Sequence, residues 1–353
     1  MNSTSLWGSE ETKYFYELSP EVVMKAMESL GLKPTGRLMT MNSLENRVYD
    51  LEIYNHADFN LTNTFIVTKF YRPGRWSFAQ IKDEHEFLFD LKEAEIPVIA
   101  PLKINGESVC QDQATGLFFT VFEKMGGRAP DELTLENAER LGSLIARMHL
   151  IGEKKNSLHR LEFSTENFIQ KNAAFVISEK ILPNHLETQY QSLTDSLFSV
   201  AKTKLQNQKY FRIHGDLHLG NIISRNDVFN LIDFDDFVTG PAIQDLWLIA
   251  PRSDEDGIIL RNSLLEGYYQ FRELNPTDFQ LLEVLRSMRL VHYYAWLVKR
   301  RKDPTFIHHF GDIEAPNFFE KHIADLKEQF NLISEARTEI QYNNPDDEGN
   351  YNF

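Results

Sequence analysis

The chain has 353 residues, 42% of them hydrophobic and 12% aromatic, so it can bury a large core and is expected to form two lobes. Its formal net charge of −15 argues against a nucleic-acid partner bound through phosphates, and no apolar run is long enough to cross a membrane. A single cysteine, Cys110, excludes an internal disulfide, and the N-terminus has no signal-peptide pattern, which together predict a cytoplasmic location.

The first third of the chain predicts a helix followed by an antiparallel sheet. Ser19 and Pro20 are typical of a helix start. Five strand-like runs follow, at 37–40, 47–53, 63–70, 107–113 and 117–123. The first two runs are joined by a polar turn at 42–46, and Ser77 with Gln80 forms a capping box for a helix that ends near residue 92.

The rest of the chain is predicted to be mainly helical. Short apolar runs at 210–213 and 229–232 are the strands expected there, and Gly126 and Gly127 favour a hinge just after the sheet. The fold class is therefore α+β. The expected parts are an N-terminal lobe at 1–123, a hinge at 124–128, a helical C-terminal lobe at 129–335 and an acidic, disordered tail at 336–353.

The most informative stretch is 214–221, His-Gly-Asp-Leu-His-Leu-Gly-Asn, which is followed by Leu-Ile-Asp-Phe-Asp-Asp at 231–236. His214 and His218 lie four residues apart, as zinc ligands on a helix do. However, the two glycines within the stretch favour a loop instead. A polar loop held between strands is the rigid frame that a metal site requires.

The residue types in this stretch predict phosphoryl transfer. Asp216 can accept the proton of an attacking hydroxyl, while the amide oxygen of Asn221 and the carboxylate of Asp233 can bind one Mg²⁺. The alternative is that Asp233 belongs to an exposed acidic turn with the next two aspartates. His218 fits either a phosphate neighbour or a scaffold for the loop.

Lys69 closes a predicted strand, and Glu84 lies fifteen residues later in the capped helix. An ion pair between them would hold the lysine where it can bind the α and β phosphates of ATP. Asp83 and Glu86 are alternative acidic partners on the same helix, and a lysine at a strand end is often only solvated. We favour the pair of Lys69 with Glu84.

The turn at 42–46 contains no glycine, unlike a glycine-rich phosphate loop. Ser43 can contribute its hydroxyl, and the backbone amides of the turn can cover the γ-phosphate. An ordinary polar hairpin turn is the alternative, since Asn and Ser favour turns. Glu123 and Met125, at the predicted hinge, are the further candidates for contact with the nucleotide.

The chain resembles the aminoglycoside phosphotransferase and choline kinase type of kinase-like fold. The resemblance is carried by blocks at 42–49, 69–76, 84–85, 126–128, 214–221, 240–247 and 286–297. It implies a bilobal, protein-kinase-like architecture with a small antiparallel-sheet lobe and a mainly helical lobe. Two positions depart from the family pattern, Leu217 and the Phe-Asp-Asp sequence at 234–236.

The resemblance also implies residue roles. It assigns Asp216 as the proton acceptor, Asn221 and Asp233 as magnesium ligands, Ser43 and Lys69 as ATP contacts, and Asp245 as an anchor for the catalytic-loop backbone.

We expect ATP as co-substrate and Mg²⁺ as cofactor. The resemblance further implies the serine or threonine of a protein as acceptor and a role in a stress response. No nucleic-acid or membrane partner is expected, and the chain is expected to be a monomer. A small-molecule hydroxyl kinase and a non-catalytic ATP-binding switch are the alternatives.

Two other features are expected to be structural. His149, at the end of the helical run 141–150, is expected to be a helix-end or core-edge residue. The basic run 299–302 is expected to be a solvated helix end that complements the helix dipole.

Overall fold

The computed structural model describes residues 13–54, 61, 64–225, 228–252, 254–310 and 313–342. The chain divides into two units, Met1–Glu162 with Lys209–Glu273, and Phe163–Gln208 with Leu274–Phe353. No helix within the described ranges is long and apolar enough to cross a membrane. The cytoplasmic location and the lobe boundaries stay predictions.

The helices and strands are numbered in chain order. The α-helices are α1 (Lys13–Tyr16), α2 (Pro20–Ser29), α3 (Phe78–Glu93), α4 (Leu135–Gly152), α5 (Lys171–Ser178), α6 (Asn184–Leu205), α7 (Ile243–Ile249), α8 (Glu255–Tyr269), α9 (Leu282–Arg300), α10 (Pro304–Phe310) and α11 (Pro316–Tyr342). The strands are β1 (Pro34–Met41), β2 (Arg47–Ile53), β3 (Phe65–Phe70), β4 (Cys110–Gln111), β5 (Phe118–Glu123), β6 (Phe211–Ile213), β7 (Ile222–Arg225), β8 (Val228–Leu231) and β9 (Val238–Gly240). The predicted α+β class is confirmed.

The first unit contains a five-stranded antiparallel sheet in the order β1-β2-β3-β5-β4. The run predicted at 47–53 is confirmed residue for residue as β2. The run predicted at 107–113 shortens to two residues because it lies between two tight turns. On one side Ile104 pairs with Glu107, and on the other the amide of Gly116 donates to the carbonyl of Asp112.

Side chains alternate between the two faces of the sheet. One face packs against α2 in an apolar core that contains Tyr49, Leu51, Ile66 and Phe70. Lys69 lies between Thr68 and Phe70 in β3, so its side chain projects from the opposite face. The alternation therefore places the buried side chain of Lys69 on the face of the sheet opposite α2.

The segment predicted as the hinge, 124–128, pairs with a second, smaller sheet within the first unit. Strands β7 and β8 form a hairpin, and the backbone of Arg128 pairs with Ser224 of β7. Gly127 has φ +149° and lies against Ile223 and Ser224, so a side chain at this position would collide with both. The predicted strand at 229–232 corresponds to β8, whereas β7 has no counterpart among the predicted strands.

Helices α4 and α8 approach each other through glycines. A Cβ at Gly142 would collide with the carbonyl of Leu264, and one at Gly267 would collide with the carbonyl of Glu139. The two helices therefore pack backbone against backbone. Each helix also carries a buried polar side chain, His149 on α4 and Tyr268 on α8, and the two lie within hydrogen-bond distance of each other.

The second unit consists of α5, α6, α9, α10 and α11, with a short π-helix at Glu166–Gln170. Helix α11 continues through Tyr342, so residues 336–342, which the sequence placed in the tail, are helical; the tail from 343 lies outside the described residues. The basic run differs from the prediction. Arg300 is fully buried, and Arg301 forms ion pairs with Glu179 and Glu314.

A buried histidine makes the second unit sensitive to acid. His322 is fully buried and stacks on Tyr294, with ring centroids 3.4 Å apart, and neither of its ring nitrogens has a hydrogen-bond partner among the described residues. Burial lowers the pKa of His322 to about 3. The unfolded chain, with a histidine pKa of roughly 6.5, therefore binds one more proton between these two values.

We predict that His322→Phe flattens the pH dependence of unfolding. Stability should be lost as the pH falls below about 6.5, by up to about 1.4 kcal/mol per pH unit for this one proton. The measurement is thermal unfolding of the wild type and the variant at several pH values from 7.5 to 5, comparing slopes. His185→Gln, at an exposed position of α6, is the control. Equal slopes for wild type and His322→Phe would contradict the assignment of this acid sensitivity to His322.

Candidate active site

The loop between β6 and β7 holds the predicted proton acceptor. Asp216 is half-buried, and its carbonyl accepts a hydrogen bond from Nδ2 of Asn221, 2.9 Å away. His218 accepts from the amide of Gly220 through Nδ1 at 3.0 Å, and its Nε2 lies 3.6 Å from Oδ2 of Asp216. Through Nδ1, His218 supports the loop as a scaffold, and contact of this residue with a phosphate stays a prediction.

His214 has a different structural role. Its Nε2 lies 2.8 Å from the carbonyl oxygen of Ile232 and donates to it, and the ring is fully buried against Phe234. This bond ties the catalytic loop to the segment that carries Asp233. The zinc alternative has no support, because among the described residues no group of three or more His, Cys, Asp or Glu side chains could hold a metal ion.

The two predicted metal ligands lie on adjacent segments. The amide of Ile232 donates to the carbonyl of Asn221 at 3.0 Å, which places Asp233 beside Asn221. Asp233 has φ +59° and ψ +60°, a left-handed conformation that is costly for a non-glycine residue and is common at functional sites. Because Nδ2 of Asn221 donates within the loop, its Oδ1 is the atom that can bind a cation. One amide oxygen and one carboxylate form a hard-oxygen donor pair that fits Mg²⁺.

Asp245, at the start of α7, anchors the backbone of the catalytic loop. Its Oδ2 accepts from the amide of His214 at 2.8 Å, and its Oδ1 accepts from the amide of Gly215 at 2.7 Å. Nε2 of His149 lies 3.0 Å from Oδ2, and Nδ1 of His149 lies 2.9 Å from the hydroxyl of Tyr268. The role that the resemblance implies for Asp245 agrees with this geometry.

Burial lowers the pKa of His149, so its ring is neutral. The neutral ring accepts from the Tyr268 hydroxyl and donates to Asp245, which forms a continuous chain of donors and acceptors. His149 is thus a buried core residue, as predicted, yet it is connected to the catalytic loop through one carboxylate. The sequence gives no indication of this link, because the partners come from α4, α7 and α8.

Lys69 forms the predicted pair with Glu84. Its Nζ lies 2.9 Å from Oε1 of Glu84 and 3.4 Å from Oδ1 of Asp235, and all three side chains are buried. Burial opposes the charged amine, but the carboxylate of Glu84, together with Asp235, holds the pKa of Lys69 well above its ordinary value. The lysine is therefore a fixed cation next to the predicted metal site.

The other acids of α3 have different surroundings. The capping box predicted for this helix is present, with Ser77 and Gln80 exchanging side-chain and backbone hydrogen bonds. Asp83 accepts hydrogen bonds from the hydroxyl of Ser157 and from the backbone amides of His159 and Arg160, in the loop that follows α4. Asp83 therefore fixes that loop rather than Lys69. Glu86 is exposed. The structure thus selects Glu84 among the three candidates.

Two buried arginines complete the site, and no sequence pattern indicates their roles. Arg160 donates from Nη2 to Oε2 of Glu84 at 2.9 Å and from Nη1 to the carbonyl of Asp235 at 2.7 Å. Arg75 lies 2.5 Å from Oδ2 of Asp235 and 2.5 Å from Oδ1 of Asp236. Burial raises the pKa of Asp235, but Lys69, Arg75 and Arg160 together hold it below its ordinary value. The acidic sequence after Asp233 is therefore part of an ion-pair cluster and not an exposed turn.

The remaining predicted contacts lie at the edges of the sheet. Ser43 is half-buried in the turn between β1 and β2, where its hydroxyl accepts from the amide of Asn46 at 3.3 Å. Glu123 is the last residue of β5, and Met125 follows with 40% of its surface exposed. The structure brings Lys69, Glu84, Asn221 and Asp233 into one cluster, while the nucleotide contacts of Ser43, Glu123 and Met125 stay predictions.

The fold and the site define a phosphotransferase. The chain belongs to the phosphotransferase enzyme family, whose sequence profile matches residues 42–309, so the predicted resemblance is confirmed. Stress response kinase A of Escherichia coli K12 is 32% identical over 327 residues, covering 92% of this chain and 97% of the relative. A Salmonella typhimurium LT2 relative named serine/threonine protein kinase RdoA is 32% identical over 328 residues, with the same coverage of both chains.

Solved structures show the same fold at lower sequence identity. Amicoumacin kinase hAmiN, in complex with AMP-PNP, Ca²⁺ and Ami, has a TM-score of 0.69 at 19% identity and covers 88% of this chain and 94% of its own. A microcompartment-associated aminopropanol kinase has a TM-score of 0.64 at 20% identity, covering 90% and 98%. The predicted kinase-like architecture is therefore confirmed.

We predict that Tyr268→Phe weakens both stability and activity. The change leaves Nδ1 of His149 buried without its donor, which should cost ~1–2 kcal/mol of unfolding free energy. It should also reduce kcat, because Asp245 loses the ring that holds it against the catalytic loop. The measurements are denaturant unfolding and the rate of phosphate transfer. Tyr269→Phe, at the exposed neighbouring position, is the control and should match the wild type. Wild-type stability in Tyr268→Phe would show that the chain of bonds contributes nothing.

Proposed function

We propose that this phosphotransferase uses ATP and Mg²⁺ to phosphorylate serine or threonine of a protein, with a role in a stress response. The observation that carries the proposal is the placement of Asp216, Asn221 and Asp233 on adjoining segments beside the buried pair of Lys69 with Glu84. A proton acceptor, two oxygen ligands and a fixed cation are the set that phosphoryl transfer requires.

Each group has a distinct part in the proposed reaction. The carboxylate of Asp216 accepts the proton of the acceptor hydroxyl as that oxygen forms a bond with the γ-phosphorus and the bond to the β-phosphate oxygen breaks. Lys69 neutralises charge on the α and β phosphates. Asn221 and Asp233 would hold Mg²⁺, which would supply positive charge to offset the negative charge of the phosphates.

The nucleotide is placed by the sheet and the segment after it. Ser43 and the backbone amides of the turn 42–46 would cover the γ-phosphate, and the backbone at Glu123 and Met125 would contact the adenine. Support for a nucleotide and a divalent cation comes from the hAmiN structure, which contains AMP-PNP and Ca²⁺ and shares this fold. The monomeric state stays a prediction.

Two lines of support point to different acceptors. The relatives at 32% identity carry the names stress response kinase A and serine/threonine protein kinase RdoA, and each alignment covers nearly the whole of both chains. The structural neighbours named for amicoumacin and aminopropanol act on small molecules, but their identities are 19% and 20%. We favour the protein acceptor because a relative at 32% identity is named a serine/threonine protein kinase, whereas the small-molecule kinases are less similar in sequence. A small-molecule hydroxyl kinase is the second candidate.

The test is transfer of labelled phosphate from Mg-ATP by wild type and Asp216→Ala. One tube contains a generic basic protein, and another contains choline, ethanolamine, homoserine, a hexose and an aminoglycoside. We expect label on protein serine or threonine, reduced by roughly 10²- to 10⁴-fold in Asp216→Ala because the general base is lost. Asp195→Ala, on the exposed face of α6, is the matched control and should retain wild-type transfer.

The other outcomes decide between the candidates. Label on a metabolite alone would assign the enzyme to the small-molecule class. Binding of ATP without transfer to any acceptor, unchanged in Asp216→Ala, would favour the non-catalytic switch. Equal transfer by wild type and Asp216→Ala would contradict the role of Asp216.

A further inference from the structure

Arg75 connects two parts of the site that lie far apart in the sequence. Its Nη1 lies 3.2 Å from Oε2 of Glu45, in the turn 42–46, and 2.5 Å from Oδ2 of Asp235. Its Nη2 lies 2.5 Å from Oδ1 of Asp236. Only 1% of the Arg75 side chain is exposed, so these contacts are made away from solvent. One guanidinium thus contacts both the turn that carries Ser43 and the segment that follows Asp233.

A second arginine holds the same turn. Arg72 donates from Nε to the carbonyl of Glu45 and from Nη2 to the carbonyl of Leu44, both at 2.9 Å, and its amide donates to Oδ1 of Asn46 at 3.2 Å. Asn46 in turn hydrogen-bonds Asp235 through its side chain. The backbone of the turn is therefore fixed by side chains from the loop that follows β3.

The planar guanidinium explains why arginine occupies these positions. Its five N–H groups lie in one plane and can bind three oxygen acceptors at once, whereas a lysine ammonium is a point charge on a flexible stem. In a glycine-rich loop, the backbone can approach a ligand closely because glycine adopts conformations that other residues avoid. The turn 42–46 contains no glycine and is held in one conformation by Arg72 and Arg75 instead.

We propose that Arg75 is a positioning residue that holds the phosphate-covering turn 42–46 and the segment 234–236 in one fixed arrangement before nucleotide binds. This inference rests on the proposed function, because it takes Ser43 and Asp233 as contacts of Mg-ATP. A preformed site loses less conformational entropy on binding. Arg75 therefore acts mainly on the affinity for Mg-ATP and less on the transfer step, in which it touches no reacting atom.

The test compares wild type with Arg75→Gln, Arg75→Lys and Asp236→Asn. Hydrogen exchange without nucleotide reports on 42–46 and 234–236, and steady-state kinetics report the KM for ATP and kcat. We expect faster exchange in both segments and a KM at least tenfold higher in Arg75→Gln, with a smaller change in kcat. Arg75→Lys should be intermediate, because an ammonium can satisfy only part of the contact set, and Asp236→Asn should show a weaker form of the same effect.

The matched control is Lys82→Gln, which removes a cation from an exposed ion pair with Glu107 and should leave exchange and KM unchanged. Wild-type exchange and KM in Arg75→Gln would overturn the proposal. Faster exchange throughout the first unit, with an unchanged KM, would also overturn it, since that pattern indicates a purely structural residue. If wild type binds no Mg-ATP, the proposed function fails, while the exchange measurement still decides whether Arg75 holds the turn.

Discussion

The site depends on one buried cluster of charges. Lys69 is enclosed with Glu84 and Asp235, and each of these acids is also bound by an arginine, Arg160 for the first and Arg75 for the second. An isolated charge at such a depth would cost several kcal/mol, so each member requires the others. The members come from the sheet, from α3, from the loop that carries Arg160 and from the segment after Asp233. Their pairing therefore fixes where these segments lie.

The catalytic loop is held by a second, separate set of bonds. Asp245 accepts from the backbone of His214 and Gly215, and His149 and Tyr268 hold Asp245 in place. Asp216 and Asn221 therefore project from a loop whose backbone is fixed from behind. This division into two separate sets of bonds suits phosphoryl transfer, in which positioning and charge neutralisation account for most of the catalysis. Under the proposed function, the first set of bonds places the cation for the phosphates, and the second places the proton acceptor Asp216 and the metal ligand Asn221.

The sequence predicted the features that depend on local pattern. The capping box of α3, the strand 47–53 and the family follow from residues close together in the chain. The roles of Arg75 and Arg160 do not, because their bonds to the segment at Asp235 span 160 and 75 residues. Glu84 could not be separated from Asp83 by helical pattern, since both are buried at adjacent positions of one helix turn. Only the tertiary contacts show which acid meets the lysine.

The central claim is that the buried cation at Lys69 forms part of a Mg-ATP site. The most direct test is calorimetric titration of wild type and Lys69→Met with a non-hydrolysable ATP analogue and Mg²⁺, after thermal unfolding has shown that both proteins are folded. The account predicts that wild type binds and that the variant binds at least tenfold more weakly, because a fixed positive charge at the phosphates is lost. Equal affinity in the two folded proteins would contradict it.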